Sequence, residues 1–153
     1  MTITCRLATK EDLREILALY AQPDIDDGNV LSLADAERVL DRMSSYPDYT
    51  LYISVEGDVI VGTLALLIMD NLGHIGSPSA VIEDVVVDPS RHGQGIGTIM
   101  MKSAIDIARA KGCYKAVLSS NVSREKAHAF YETLGFERHG YSYRMNLHPV
   151  ASP

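Results

Sequence analysis

The chain is poor in the features that mark special classes. Only two of its 153 residues are cysteine, Cys5 and Cys113. That is too few for a disulfide framework, and no cysteine–histidine group has zinc spacing, so no metal is expected. No apolar run approaches the ~20 residues of a membrane helix; the longest is Leu64–Met69. The first twelve residues lack the cationic start and long apolar stretch of a signal peptide. Basic residues are in deficit: 14 Lys+Arg against 20 Asp+Glu leave a net charge of −6. A nucleic-acid binder needs the opposite balance. The acidity suits solubility, or mild attraction of cationic small molecules such as amines. No internal repeat or low-complexity segment occurs. These absences point to a cytoplasmic, reduced, soluble protein with neither nucleic-acid nor membrane partners.

What is present is ordinary globular material, 46% apolar and 22% charged, in a length that buries roughly 70% of its unfolded surface as one domain. That domain is read over 1–148, with 149–153 a loose tail. Hydrophobic period switches between two and about 3.6, which predicts an α/β or α+β layer fold. Thr2–Leu7 alternates as a strand. Thr9 and Asp12 have capping-box spacing ahead of a helix carrying Leu13, Ile16, Leu17 and Tyr20. A second helix opens at Ser32 or Leu33 and stops at Pro47. Tyr49–Val55 and Val59–Met69 form a hairpin about Glu56-Gly57-Asp58. After a loop over 70–79, Ala80–Val87 is a strand carrying Glu83 and Asp84. A helix follows with Ile96, Ile99, Met100, Ser103, Ile107 and Ala110 on one face. Tyr114–Ser119 is a strand and Arg124–Leu134 a helix. Phe136–His139 and Tyr141–Leu147 are expected to close the chain as a strand pair about Gly140.

The most informative stretch runs from Ile82 to Met101. A strand enters a loop with alternate glycines, Gly93, Gly95 and Gly97, and the loop opens a helix. Glycine lets the backbone turn sharply and approach a ligand, and the free amides of a helix start attract phosphate. An anion site follows, most simply for a pyrophosphate. It is not a P-loop, because Gly97 precedes Thr98-Ile99 instead of Lys-Ser/Thr. It is not a Rossmann fingerprint either, because the third glycine of G-x-G-x-x-G would fall at Thr98.

Val87-Asp88-Pro89 followed by His92-Gly93-Gln94-Gly95-Ile96-Gly97 resembles the signature of the GNAT superfamily of acetyl-CoA-dependent N-acetyltransferases, Gln/Arg-x-x-Gly-x-Gly/Ala after a strand. His92 stands where Gln or Arg is usual, with Arg91 beside it as a substitute cation. A second motif of that family, Ala-x-x-x-Tyr-x-x-x-Gly-Phe, is met by Ala127, Tyr131, Gly135 and Phe136. The resemblance covers nearly the whole chain. A fainter similarity joins Ile82-Glu83-Asp84 and Gly112-Cys113-Tyr114-Lys115 to glucosamine-6-phosphate N-acetyltransferases. Another joins Leu118-Ser119-Ser120-Asn121, Arg124, Ala127-His128 and Phe130-Tyr131 to aminoalkylphosphonate N-acetyltransferases.

The family resemblance implies a mixed, mostly antiparallel central sheet, splayed at the acetyl-CoA site and flanked by about four helices. It implies acetyl-CoA as co-substrate, a small-molecule amine as acceptor, and direct transfer in a ternary complex. A homodimer is one arrangement such proteins adopt. Val85, Val86 and Val87 would pair with the pantetheine arm, Val85 giving its N–H to the thioester carbonyl. His92, Gly93, Gln94, Gly95, Ile96, Gly97 and Thr98 would cradle the pyrophosphate, with Asn121, Arg124 and Tyr131 also near the cofactor. Tyr131 is the candidate acid for the departing thiolate, or else a core tyrosine. Glu83 is the candidate base, or else half of a structural ion pair; strict alternation places it with Val81, Val85 and Val87, and Asp84 with Ile82 and Val86. His128, His74, Cys113 and the acidic run 24–27 are weaker candidates. Two other functions fit the same motifs: an acyl-CoA-binding sensor with little catalysis, and acetylation of a protein amine.

Overall fold

The computed structural model describes residues 2–148, and they form two compact units that meet in the chain between Leu118 and Ser119. The first holds β1 (Ile3–Leu7), α1 (Leu13–Tyr20), α2 (Leu33–Ser44), β2 (Tyr49–Glu56), β3 (Val59–Met69), β4 (Ser79–Val87), α3 (Ile96–Ala110) and β5 (Lys115–Val117). The second holds α4 (Glu125–Thr133). The strands make one sheet in the order β1-β2-β3-β4-β5. The first four are antiparallel, and β5 joins β4 in parallel. This is the mixed, mostly antiparallel sheet with four helices that the sequence led us to expect.

Local chemistry explains the elements. The Thr9 amide donates to Asp12 Oδ2 at 2.7 Å, and the Arg6 guanidinium holds both oxygens of that carboxylate at 2.8 Å, which fixes the entry to α1. The α2 start is capped by Ser32, whose hydroxyl accepts from the Asp35 amide at 3.1 Å. Leu13, Ile16 and Leu19 of α1 are buried against Leu51, Ile53, Val55, Ala65 and Val86, each such side chain stabilising the fold by about 1.5–3 kcal/mol. Because neighbours on a strand point to opposite faces, α1 takes the Ala65 side of β3 while α3 takes the Gly62 and Leu64 side.

Three expectations need correction. The buried face of α3 carries Ile96, Met100, Met101, Ala104 and Ala108, while Ile99 is 39% exposed. Ala104 and Ala108 continue the buried face of Ile96, Met100 and Met101 toward the end of the helix, where small side chains fill the contact. The strand read over Tyr114–Ser119 spans only Lys115–Val117, since its pairing with β4 ends at Val81. The strand pair read over Phe136–His139 and Tyr141–Leu147 does not form. Tyr141, Tyr143, Met145 and Leu147 are each more than 80% exposed. Alternation supplies a face, but a strand also needs a neighbouring edge, and the second unit's regular structure is one helix. The expected loose tail lies outside the described residues. No described helix is long and apolar enough to cross a membrane.

The close approach of α3 rests on Gly62. A Cβ there would fall 2.4 Å from Met100 Sδ and 3.1 Å from the Val86 carbonyl oxygen, and Met100 itself is 2% exposed. Gly62→Val is therefore expected to cost about 1–3 kcal/mol, read as a melting temperature lower by several degrees in calorimetry.

Candidate active site

Strand β4 leads into the glycine loop, and its register sets the geometry there. Glu83 pairs with Ala65 and Val86 with Thr63, so three β4 residues advance against two of β3. Asp84 and Val85 form the resulting bulge, and Asp84 has φ +51°. The bulge breaks the strict alternation read from sequence. Glu83 shares its face with Val81 and Val86, on the α1 side, whereas Val87 faces α3 opposite Gly62.

Among the described residues, β4 pairs with a strand on its outer side along its first third alone. Its pairing with β5 consists of Ser79, Ala80 and Val81 opposite Lys115, Ala116 and Val117. On the inner side the Asp88 amide donates to the Val61 carbonyl at 2.9 Å. A trans peptide sends its carbonyl the other way, so the Val87 carbonyl faces the open side, and ladder alternation turns the Val87 N–H and the Val85 carbonyl outward too. An extended ligand could pair with this edge.

A tight turn links that edge to α3. Asp88 Oδ1 accepts from the Ser90 amide and hydroxyl at 2.9 and 2.8 Å, and the Arg91 amide donates to the Asp88 carbonyl at 2.9 Å. Arg91 forms an ion pair with Glu56 at the end of β2, which engages the cation that was to stand in for position 92. His92 Nε2 lies 3.1 Å from the Val87 carbonyl oxygen. Gly93 and Gly95 then take φ +80° and +79°, a conformation other residues adopt at a cost. No atom lies within 4 Å of a Cβ built at either, so the space beside them is free. The first main-chain bond of α3 runs from the Ile99 amide to the Gly95 carbonyl. Among the described residues, no main-chain carbonyl accepts from the amides of 93–98. They are the amides that the sequence reading placed around an anion.

Two carboxylates and two phenols surround the bulge. Partial loss of water and the Asp84 charge raise Glu83 above the ordinary carboxylate value, although its side chain still reaches the surface. Asp84 is raised by the same crowding and by Asp26. Tyr20 is pushed far up by burial and by Asp84, with the Thr63 hydroxyl opposing. Tyr49 is raised by burial, Asp84 and Glu83. Nothing in the sequence pattern grouped Asp84, Tyr20, Tyr49 and Thr63 in this way. The acidic run 24–27 was the one usable sign, through Asp26.

In the second unit, Asn121, Arg124 and Tyr131 lie in and before α4. Asn121 Oδ1 accepts from the Ser123 amide and hydroxyl at 2.9 and 2.8 Å. His128 Nε2 is 2.8 Å from the Asn121 carbonyl oxygen, so this histidine ties down the helix start. Tyr131 packs edge-on against Phe136, centroids 6.0 Å apart. Burial raises its phenol above the ordinary value, and Arg124 opposes that shift. His74 stacks on Tyr114 at 4.2 Å, and Cys113 is half-buried.

Residues 10–136 match the model of the acetyltransferase (GNAT) family. The chain belongs to that family. Among its relatives is the glucosamine 6-phosphate N-acetyltransferase of Trypanosoma brucei brucei, 43% identical over 88 residues, which are 58% of each protein. The chain therefore spans under two thirds of that relative's length. It is 28% identical to the aminoalkylphosphonate N-acetyltransferase of Salmonella typhimurium, over 93% of this chain and 90% of that one. A putative acetyltransferase from Agrobacterium tumefaciens superposes with a TM-score of 0.87 at 31% identity, covering 94% of this chain and 99% of that one.

The left-handed backbone at Asp84 yields a direct check. Asp84→Ala and Asp84→Gly both delete the carboxylate, but only glycine relaxes at positive φ. The Gly variant should be the more stable by about 1 kcal/mol, the reverse of the order expected at a regular strand position, in paired thermal or urea unfolding.

Proposed function

We propose that the chain is an acetyl-CoA-dependent N-acetyltransferase that moves an acetyl group to the primary amine of a small molecule, by direct transfer with both substrates bound. The observation that carries this reading is the unpaired run of amides at 93–98, continuous with the open edge of β4. The free space beside Gly93 and Gly95 fits a diphosphate held by Gly93, Gln94, Gly95, Ile96, Gly97 and Thr98. The outward groups of Val85 and Val87 fit an amide-bearing arm. Val86 supports that edge through its buried side chain. Residues 1–148 are taken to act as one domain in this reaction.

Acetyl-CoA supplies an acyl group activated as a thioester. Holding it in line with the amine contributes most, about 7–11 kcal/mol in favourable cases. Val85, inside the bulge, gives its N–H to the acyl oxygen. Glu83 takes one proton from the acceptor ammonium, directly or through a water, so that the nitrogen lone pair can bond to the acyl carbon as the carbon–sulfur bond breaks. Tyr131 gives its proton to the departing sulfur. The acylated nitrogen sheds its second proton to solvent as the amide forms, Tyr131 regains a proton from solvent, and Glu83 releases the one it took. Asn121 and Arg124 hold the cofactor or an anionic part of the acceptor. The two named relatives act on amines that carry phosphate or phosphonate, so such amines come first as acceptors.

Glu83 must be ionised to act, and its value is raised. The acid limb of kcat/KM is therefore expected above the ordinary carboxylate range, falling tenfold per pH unit below it, and Glu83→Gln should abolish that limb. Tyr131→Phe should lower kcat at least tenfold, toward the roughly 10²–10⁴-fold typical of general acid–base catalysis, with acetyl-CoA affinity kept. Retention of full turnover would remove Tyr131 from the reaction and leave a thiolate protonated by solvent. The test of the whole reading is thermal stabilisation by acetyl-CoA, followed by its consumption with amino-sugar phosphates, aminophosphonates, polyamines, aminoglycosides and amino acids. No stabilisation by millimolar acyl-CoA rejects it.

A further inference from the structure

His92 occupies the motif position where Gln or Arg is usual, and the structure gives its ring a specific partner. The Val87 carbonyl is the last outward-facing acceptor on the open side of β4. It has no strand to pair with, because β5 reaches only as far as Val81. His92 folds back across the turn formed by Pro89–Arg91 and brings Nε2 to 3.1 Å from that oxygen. A carbonyl only accepts, so Nε2 carries the hydrogen, and the bond persists whether or not Nδ1 is protonated.

We propose that His92 is a positioning residue: by donating to the Val87 carbonyl it pins the first residue of the glycine loop to the open edge of β4, and so presets the amides of 93–98 for the diphosphate. The inference rests on the acetyl-CoA reading above and adds to it a role for a side chain that need not touch the ligand. Two observations support it. Gly93 and Gly95 leave the loop with more freedom than any other residues would, so whatever precedes them sets their starting direction. The neighbouring Arg91 is held on the other side of the turn by Glu56, so the loop is anchored from β2 and from β4 immediately before its first glycine. Rigidity before binding lowers the ordering cost of binding.

Glutamine explains the design of the test. Its Nε2 stands the same number of bonds from Cα as histidine Nε2 and can donate, whereas leucine fills similar space and cannot. Calorimetric titration of acetyl-CoA into wild type, His92→Gln and His92→Leu should show glutamine restoring affinity to within about twofold. Leucine should weaken it roughly tenfold, the size of one well-made hydrogen bond, with kcat at saturating acetyl-CoA unchanged. The inference is overturned if His92→Leu binds as wild type does, if glutamine loses as much affinity as leucine, or if kcat falls in place of affinity. If wild type itself binds no acetyl-CoA, the acetyltransferase reading fails first and this inference with it. The failure would then appear in the unmodified protein and not in a variant.

Discussion

Among the described residues, the amides of 93–98 find no main-chain carbonyl to accept them, and β4 pairs with a strand on its outer edge over 79–81 alone. Backbone polar groups without partners are costly unless water or a ligand takes them. A fold that leaves two such runs end to end maintains a polar slot with a directional edge and an anion-seeking end. Much of the rest of the first unit serves that slot. Gly62 lets α3 lie close to β3, which fixes where the helix starts. The Asp88 turn delivers the chain from the strand to that start with its own hydrogen bonds satisfied. The bulge at Asp84–Val85 follows three residues after Val81, the last β4 residue paired with β5.

The same bulge organises the electrostatics. It brings Glu83 onto the α1 face with Val86 and leaves Asp84 in a left-handed conformation beside Asp26, Tyr20 and Tyr49. Two neighbouring carboxylates that have lost part of their water hold their protons more tightly than usual, which suits a group that must accept a proton near neutral pH.

Much of this was legible in the residues. Alternating glycines after an apolar strand announced the tight loop and its free amides, since glycine takes φ near +80° freely and a helix start leaves amides without partners. The capping-box spacing of Thr9 and Asp12, and the opening read at Ser32 or Leu33, placed the starts of the first two helical segments. The face of Glu83 was not legible, because a bulge is a decision of the paired ladder and leaves no fixed mark in a run such as Ile82–Val87. The buried face of α3 was misread for a related reason: its packing depends on Gly62, a residue 34 positions before Ile96. The alternation over Tyr141–Leu147 suggested a strand, but the partner that would make it one is not written in those residues.

The account stands on the claim that the 93–98 amides and the open edge of β4 receive one ligand together. Amide-resolved ¹H–¹⁵N NMR during titration with acetyl-CoA tests this most directly. The amides of Val87, Gly93, Gly95 and Gly97 should shift together, along a single saturating curve, with those of β1 and α2 unmoved. Saturable binding that leaves the three glycine amides unshifted, or no binding at all, would contradict it.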